Sequence, residues 1–399
     1  MLYLKLMKYD AVIIGAGPIG SNVALHLSKK GFEVAVVEQK REIGIPLKCA
    51  GLVSKRVIEL SGISPNKIIQ NELYGAYIHS PEGRVFEIES DRVQAFAIDR
   101  VLFDKLLAEN AQNYNAVYLL NNKAYSFGDG AVQIKSDGES GVLQYKILIG
   151  ADGAKSNVRE FFGFPDPKEV LLGVGAEVEN ININPKKVHI FFSRNIAPGF
   201  FAWIIPTNRE GTEARIGLCT STPPPKPIKS YFDMMFTNPL TEPFLKGCTV
   251  KGLLGGAIPL GFLDETAMDR VMIVGDAASQ VKPLSGGGLY PGLLSSNFCS
   301  EVAEEALENN DASKKILKKY HNLWSAALKR EIAIGMRIRK RFLQMDDSQV
   351  DKYLSYLNDE EILSIISKYG DIDYPSKLAF PLLKNIPILL KFLPEIMHL

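Results

Sequence analysis

Residues 9–39, YDAVIIGAGPIGSNVALHLSKKGFEVAVVEQ, decide the fold. The apolar run 11–14 has the length and β-branched character of a buried parallel strand. Gly15, Gly17 and Gly20 follow in G-x-G-x-x-G spacing, with Pro18 and Ile19 between the last two. The pattern then predicts a helix over 21–29, a stop at Gly31 and a second buried strand over 33–37, closing on Glu38 and Gln39. In such a unit the first glycine allows a tight turn, the second lets backbone approach a pyrophosphate, and the third lets helix and strand pack closely. The helix start offers free N–H groups and a positive dipole end to phosphates. An acid about 20 residues past the glycines accepts hydrogen bonds from a ribose. A bare glycine fingerprint is a weak signal, but strand, turn, helix, strand and acid in this order identify an adenine dinucleotide site.

Working outward, the loop after Glu38 carries Gly44, Pro46 and Gly51, which break regular structure, with Cys49 inside it. A lone cysteine reads first as a small apolar filler. Residues 73–89 read as paired strands around a turn at 81–83, with His79 on the surface. A helix is predicted over 101–113, with Arg100 near its start, where the dipole disfavours a cation, so that it meets another partner, such as a cofactor phosphate or carbonyl, or is solvated. Short strands follow over 117–127, 132–135 and 142–149, the last running into Gly150, Asp152 and Gly153. A buried strand that ends in such a turn at a helix entrance faces ligand in an open α/β sheet.

Residues 171–256 have another texture. Strands over 174–178, 188–192, 200–205 and 214–219 alternate without helices between them, which predicts an inserted antiparallel sheet. Phe201 and Trp203 share one strand face, as core packing or as the wall of an apolar pocket. The dinucleotide domain resumes with a strand over 270–274 that ends at Gly275 and Asp276. Pro283 and the run Gly286, Gly287, Gly288 then lead into a helix from Leu289. Asp276 is placed to accept from a ribityl or sugar hydroxyl, and the glycine turn aims a helix start at the other end of one extended ligand. Helices are expected over 313–334, with Ile316, Tyr320, Leu323, Ala327 and Leu328 on one face, and over 348–369. The tail from Leu378 mixes apolar residues with lysines and prolines, and packs on its own domain or touches a membrane surface.

The expected organisation is α/β: a Rossmann-like dinucleotide-binding domain, FAD-binding by the resemblance described next, over 1–170, including a hairpin at 73–96, and again over 259–310. An inserted antiparallel β-sheet substrate domain spans 171–258, and C-terminal helices fill 311–399. The net charge of +1 gives no electrostatic case for nucleic acid. The four cysteines form no C-x-x-C pair, which argues against a metal site or a disulfide framework and fits a cytoplasmic location. No stretch of about 18 apolar residues marks a membrane span, and the first ten residues are too few for a signal peptide.

Three separated stretches resemble the FAD-binding flavoproteins of the para-hydroxybenzoate hydroxylase fold: the opening fingerprint with Glu38, the Gly150–Gly153 turn with Ser156 and Arg159, and Gly275 to Gly288. Within that superfamily the chain is similar to the geranylgeranyl reductases, particularly the archaeal digeranylgeranylglycerophospholipid reductases. The resemblance rests on the loop Glu42 to Cys49, on Asp99, Arg100, Phe103, Asp104 and Leu107, and on Phe201, Trp203 and Pro206. It implies FAD contacts at Gly20, Glu38, Cys49, Ala50, Arg100, Ala124, Asp276, Gly288 and Leu289, with Cys49 beside the flavin. It implies saturation of isolated double bonds in prenyl chains. The chain departs from the family pattern at three places: Phe201 and Ile205 stand where tyrosine and phenylalanine are usual, the loop after Cys49 reads Ala-Gly-Leu-Val in place of a glycine-spaced form, and Lys282 stands where an acid often precedes the proline.

On this resemblance Cys49 is a candidate for positioning or proton delivery, and Phe201 and Trp203 for the substrate wall. The rival readings are a flavin monooxygenase acting on a small apolar or aromatic substrate, and a non-catalytic flavin- or lipid-binding protein. No second glycine fingerprint marks a nicotinamide site, which leaves ferredoxin or transiently bound NAD(P)H as electron donor.

Overall fold

A computed structural model describes residues 5–47, 49–128, 130–378 and 381. The tail from Leu378, read above as a candidate membrane contact, lies outside the described residues except for Leu378 and Pro381.

The central strand Lys5–Ile14 pairs in parallel with Val34–Val37 on one side and with Glu139–Gly150 on the other. Val117–Leu119 and Val271–Ile273 extend this parallel array at its two edges. Lys123–Gly128 and Ala131–Ser136 form an antiparallel flap that continues onto Glu139–Gly150. Alternation sorts the side chains. Ala11 and Ile13 face a core shared with the Pro18–Lys29, Leu289–Glu308 and Lys314–Gln344 helices, while Val12 and Ile14 face a second core with Ala124, Leu148 and Ile273. Burial on both faces explains why these strands read as unbroken apolar runs.

The helix Pro18–Lys29 starts earlier than the sequence pattern suggests, because Pro18 is preorganised for a first helical position. Lys314–Gln344 runs ten residues past its expected end and carries the basic residues Arg337, Arg339 and Arg341 with it. Its buried stripe is Leu317, Tyr320, Trp324, Leu328 and Ile332, rotated from the expected face, with Ile316, Leu323 and Ala327 as flanks. Each fully buried side chain of that stripe contributes about 1.5–3 kcal/mol. Beyond it, the expected helix over 348–369 is three pieces: Asp347–Leu354, a 3₁₀ turn Ser355–Asn358, and Glu360–Tyr369.

The second sheet has the order Thr249–Leu260, Glu169–Glu179, Glu213–Ser221, Ala202–Pro206, Lys187–Phe191, Gly75–His79, Val85–Glu89. Two features depart from the sequence reading. The hairpin at 73–96, expected within the dinucleotide domain, contributes Gly75–His79 to this sheet by parallel pairing with Lys187–Phe191. Thr249–Leu260 is a long strand that the sequence hides behind Gly252, Gly255 and Gly256. One face of the sheet packs Ala176, Ala202, Ile204, Ile216 and Leu218 on Tyr231, Phe232 and Met235. The opposite face turns toward the dinucleotide domain. A small sheet of Leu52–Val53, Ala95–Ile98 and Ile69–Leu73 joins the two.

Candidate active site

The three glycine turns meet at the strand ends. A Cβ on Gly15 would lie 2.3 Å from Ala151 O and 3.1 Å from Asp152 Cα, so the first turn sits directly on the Gly150–Gly153 turn. A Cβ on Gly20 would lie 2.0 Å from Gly15 O, the close approach expected of the third glycine. Arg159, buried, ties the second turn to the third by donating to Ala154 O at 2.9 Å and Ala277 O at 3.2 Å. Buried Gln280 accepts from Gly275 N at 2.7 Å and donates to Tyr320 OH at 2.8 Å, which fixes the third turn against the Lys314–Gln344 helix. The sequence marks neither residue as a turn clamp, since their partners lie on other turns and helices.

Glu38 stands half-buried at its strand end. One carboxylate oxygen accepts from Ala16 N at 3.0 Å and the other from Lys40 N at 2.9 Å. A carboxylate offers about four lone-pair sites, so two backbone donors orient it and leave capacity for a ribose. Ala124 lies in the core that also holds Ile14 and Val37, and the exposed Gln39 follows Glu38. Asp152 is used within its own turn. Its carboxylate accepts from Ser156 Oγ at 2.5 Å and from Val158 N at 3.2 Å, and burial pushes its pKa up. Its placement by the dinucleotide turn is therefore through the backbone.

Two observations test whether the residues present fit FAD. Gly17 has φ −69°, which any residue adopts, and a Cβ built there meets no atom within 4 Å. The chain itself does not require glycine at this place, and the space over it suits a ligand that hugs the backbone. The helices that begin at Pro18 and Leu289 both lack a side-chain cap and carry no acid in their first turn, which leaves their N–H groups for an anionic ligand. The residues fit the group.

At the other end, Asp276 Oδ1 lies close enough to Gly288 that a Cβ there would be 2.8 Å from it. The left-handed Gly286, φ +69°, faces Ile258 and Phe200 of the antiparallel sheet. Pro283 packs on Gly335 of the Lys314–Gln344 helix, and Leu289 joins a cluster with Phe103, Tyr290 and Leu293. Lys282 finds its acid elsewhere in the chain: its Nζ donates to Asp373 Oδ1 at 2.8 Å and Ile372 O at 2.9 Å. Arg56 holds the same segment through Asp371 and Asp373, so residues 371–373 are strapped across the ring-end turn.

Phe201 and Trp203 pack beside Val281 of the third turn. Both pack on Leu171, Phe200, Cys219, Leu260 and Val281 together with Ile258 and Met336. Trp203 and Ala50 also pack on a common cluster of Leu73, Ala95, Ala97, Val188 and Ile205. The Trp203 ring lies across Gly217, where a Cβ would be 2.6 Å from it, and Phe192, Phe200 and Phe201 continue the aromatic surface toward Phe342. The buried Trp203 indole N–H has no partner among the described residues.

Arg100 has a partner within the chain. Its guanidinium forms a bidentate pair with Asp104 at 2.9 and 3.1 Å, both side chains are buried, and Cys49 also faces it. Burial works against the Arg100 charge, and Asp104 and Cys49 outweigh it and raise the pKa. His79 is a correction. It is buried, not at the surface, and sits 2.9 Å from His189 Nδ1 among Tyr77, Phe191 and Phe244. Burial pushes the two imidazoles down to about 4 and about 3, with mutual repulsion adding at His189.

The pattern of the FAD dependent oxidoreductase family matches residues 10–53. An uncharacterized protein of Methanocaldococcus jannaschii is 34% identical over 391 residues, covering 96% of this chain and 97% of its own. The digeranylgeranylglycerophospholipid reductase of the same organism is 31% identical, covering 86% of this chain and 89% of its own. Digeranylgeranylglycerophospholipid reductase 1 of Methanopyrus kandleri is 32% identical, covering 90% and 97%. Among solved structures, a geranylgeranyl bacteriochlorophyll reductase-like protein from Thermoplasma acidophilum superposes with a TM-score of 0.85 at 23% identity, covering 98% of this chain and all of its own. The flavin-dependent brominase Bmp2 follows the same fold with a TM-score of 0.73 at 15% identity, covering 96% of this chain and all of its own.

Proposed function

The chain belongs to the digeranylgeranylglycerophospholipid reductase family, and we propose that it is an FAD-dependent enzyme that reduces isolated C=C bonds in the prenyl chains of a lipid. Reduced FAD, when bound, supplies the hydride for one alkene carbon. The reading is supported above all by one observation: Trp203 packs on the same cluster as Ala50 of the cysteine loop and on the same cluster as Val281 of the third turn. An aromatic strand is thereby held against both segments expected to face a flavin ring.

In this reading Gly15, Gly17, Pro18, Ile19 and Gly20 carry the pyrophosphate, while Glu38, Gln39 and Ala124 take the adenosine. Asp152 and Gly153 back the first turn. Gly275, Asp276, Pro283, Gly286, Gly287, Gly288 and Leu289 hold the ribityl chain and the ring edge. The Leu289–Glu308 helix start favours negative charge on the reduced ring by about 0.3–2 kcal/mol. Arg100, locked by Asp104, sets Cys49 and Ala50 in place. An unactivated alkene has no carbonyl to polarise, so the protein contributes orientation and exclusion of water. Phe201 and Trp203 wall the chain, and the Cys49 thiol delivers the proton to the second carbon. The electron donor is ferredoxin or NAD(P)H, and contact with a membrane is peripheral. Among the described residues no helix is long and apolar enough to cross one.

The test is anaerobic incubation of the reduced holoenzyme with a digeranylgeranyl phospholipid, followed by mass spectrometry. A gain of two hydrogens per double bond supports the proposal. A product that forms only with oxygen and carries a hydroxyl group favours the monooxygenase reading instead.

A further inference from the structure

Arg215 is an arginine that the proposed chemistry does not use, yet it is 2% exposed in the middle of Glu213–Ser221, on the sheet face that carries Trp203. A buried guanidinium is costly unless its donors are matched. Here they are matched by four different segments. Nε donates to Glu177 Oε1 at 3.0 Å, Nη2 to Gln70 Oε1 at 2.9 Å, and Nη1 to Ile98 O at 2.8 Å and Ala50 O at 3.2 Å. The last of these reaches the cysteine loop. The peptide unit whose carbonyl Arg215 holds is the one whose N–H, on Gly51, donates to Cys49 Sγ at 3.4 Å. Gly51 sits at φ +70°, and a Cβ there would be 2.4 Å from Arg215 Nη1 and 2.9 Å from Ile98 O. The loop therefore has glycine where the guanidinium needs the space, and one peptide plane links the sheet arginine to the cysteine sulfur.

We propose that Arg215 is a positioning residue: by gripping the Ala50–Gly51 peptide it sets where the Cys49 sulfur stands between the antiparallel sheet and the ring of a bound flavin. The assignment rests on the reading of the cysteine loop as ring-facing. Lysine cannot replace it, because a point ammonium lacks the planar fork that serves four acceptors at once. The adenosine end, built from Gly15 to Glu38, is independent of Arg215, and FAD binding survives its loss.

The experiment measures the rate of Cys49 alkylation by iodoacetamide in the full chain, with and without FAD and without lipid. A Cys248→Ser background is used, since Cys219 and Cys299 are 2% and 0% exposed. Arg215→Met, Arg215→Lys and the double variant Gln70→Ala/Glu177→Gln are compared. Arg215→Met is expected to keep its FAD, to alkylate at least about fivefold faster, and to lose about 10–100-fold in kcat with KM little changed, the penalty of a misplaced group. Arg215→Lys falls between, and the double variant shifts alkylation in the same direction by less. Should Arg215→Met fail to fold, the double variant decides, because Gln70 is exposed and Glu177 is half-exposed. An unchanged alkylation rate in the deciding variant overturns the assignment. The readout needs no lipid, so an enzyme that ignores prenyl chains would refute the functional reading without touching this result.

Discussion

Gly17→Ala and Gly20→Ala are expected to fail in opposite ways, and the contrast tests the dinucleotide site from the chain's own geometry. The added Cβ at Gly17 meets no atom within 4 Å, and φ −69°, ψ 176° suits alanine. Loss of backbone freedom in the unfolded chain stabilises by about 0.4–1 kcal/mol. Alanine is a poorer N-cap than glycine by a similar amount. The apo protein should therefore unfold within about 1 kcal/mol of the parent. FAD, however, must then share the space over the turn with a methyl group, and affinity should fall at least about 100-fold, or about 2.7 kcal/mol. At Gly20 the Cβ would stand 2.0 Å from Gly15 O, a backbone atom that cannot rotate away. Overpacking of this kind costs about 1–3 kcal/mol or more. Gly20→Ala should thus lower the apo Tm before any ligand is added. The assay is thermal unfolding of apo protein paired with FAD titration followed by flavin fluorescence. A Gly17→Ala protein that binds FAD as tightly as the parent would refute the reasoning.

Glu38→Gln removes the charge and leaves a single amide oxygen to accept from one of the two backbone N–H groups of Ala16 and Lys40, and should weaken FAD about 10–100-fold, as expected for hydrogen bonds to a charged group, measured by the same titration. Trp203→Ala should lower kcat/KM for a prenyl lipid at least about tenfold and cost about 3–5 kcal/mol of stability, read by steady-state kinetics and denaturant unfolding. The buried pair His79 and His189 is neutral in the fold, with pKa values pushed below the ordinary 6.5 to about 4 and about 3. The unfolded chain therefore binds protons first, and stability present above about pH 6.5 is lost as pH falls toward 4. About 2 kcal/mol of that loss, after discounting for solvent screening, should disappear in a His79→Gln/His189→Gln protein, as followed by urea unfolding between pH 7 and pH 4.

The parts of the site that could be read in the sequence are those whose chemistry is local. Gly15, Gly17 and Gly20, the strand-end Glu38 and the turn at Gly286 each declare themselves by spacing within one β-α-β unit or one turn. Arg159 enters only as part of a family motif, and Gln280 and Arg215 not at all, because what makes each of them matter is a carbonyl or amide on another element. Thr249–Leu260 escaped notice since its glycines remove the side chains by which a strand is recognised, although Gly255 and Gly256 pair in register with Glu169–Glu179. The Gly75–His79 hairpin was legible as a hairpin, but its sheet is chosen by parallel pairing with Lys187–Phe191, a contact no local pattern encodes. That remote pairing also buries His79. Lys282 read as a departure from the family pattern, and it is balanced by Asp373, whose side chain is fully buried in the ion pair.

The central claim is that a bound flavin stands with its hydride-bearing face against a prenyl chain walled by Phe201 and Trp203. It is tested most directly by reconstituting the protein with 5-deaza-FAD reduced and deuterated at C5, adding a digeranylgeranyl phospholipid without oxygen, and weighing the lipid. The account predicts one deuterium and one solvent hydrogen gained for each double bond reduced. A lipid that gains no deuterium in the presence of fully bound, reduced cofactor would contradict it.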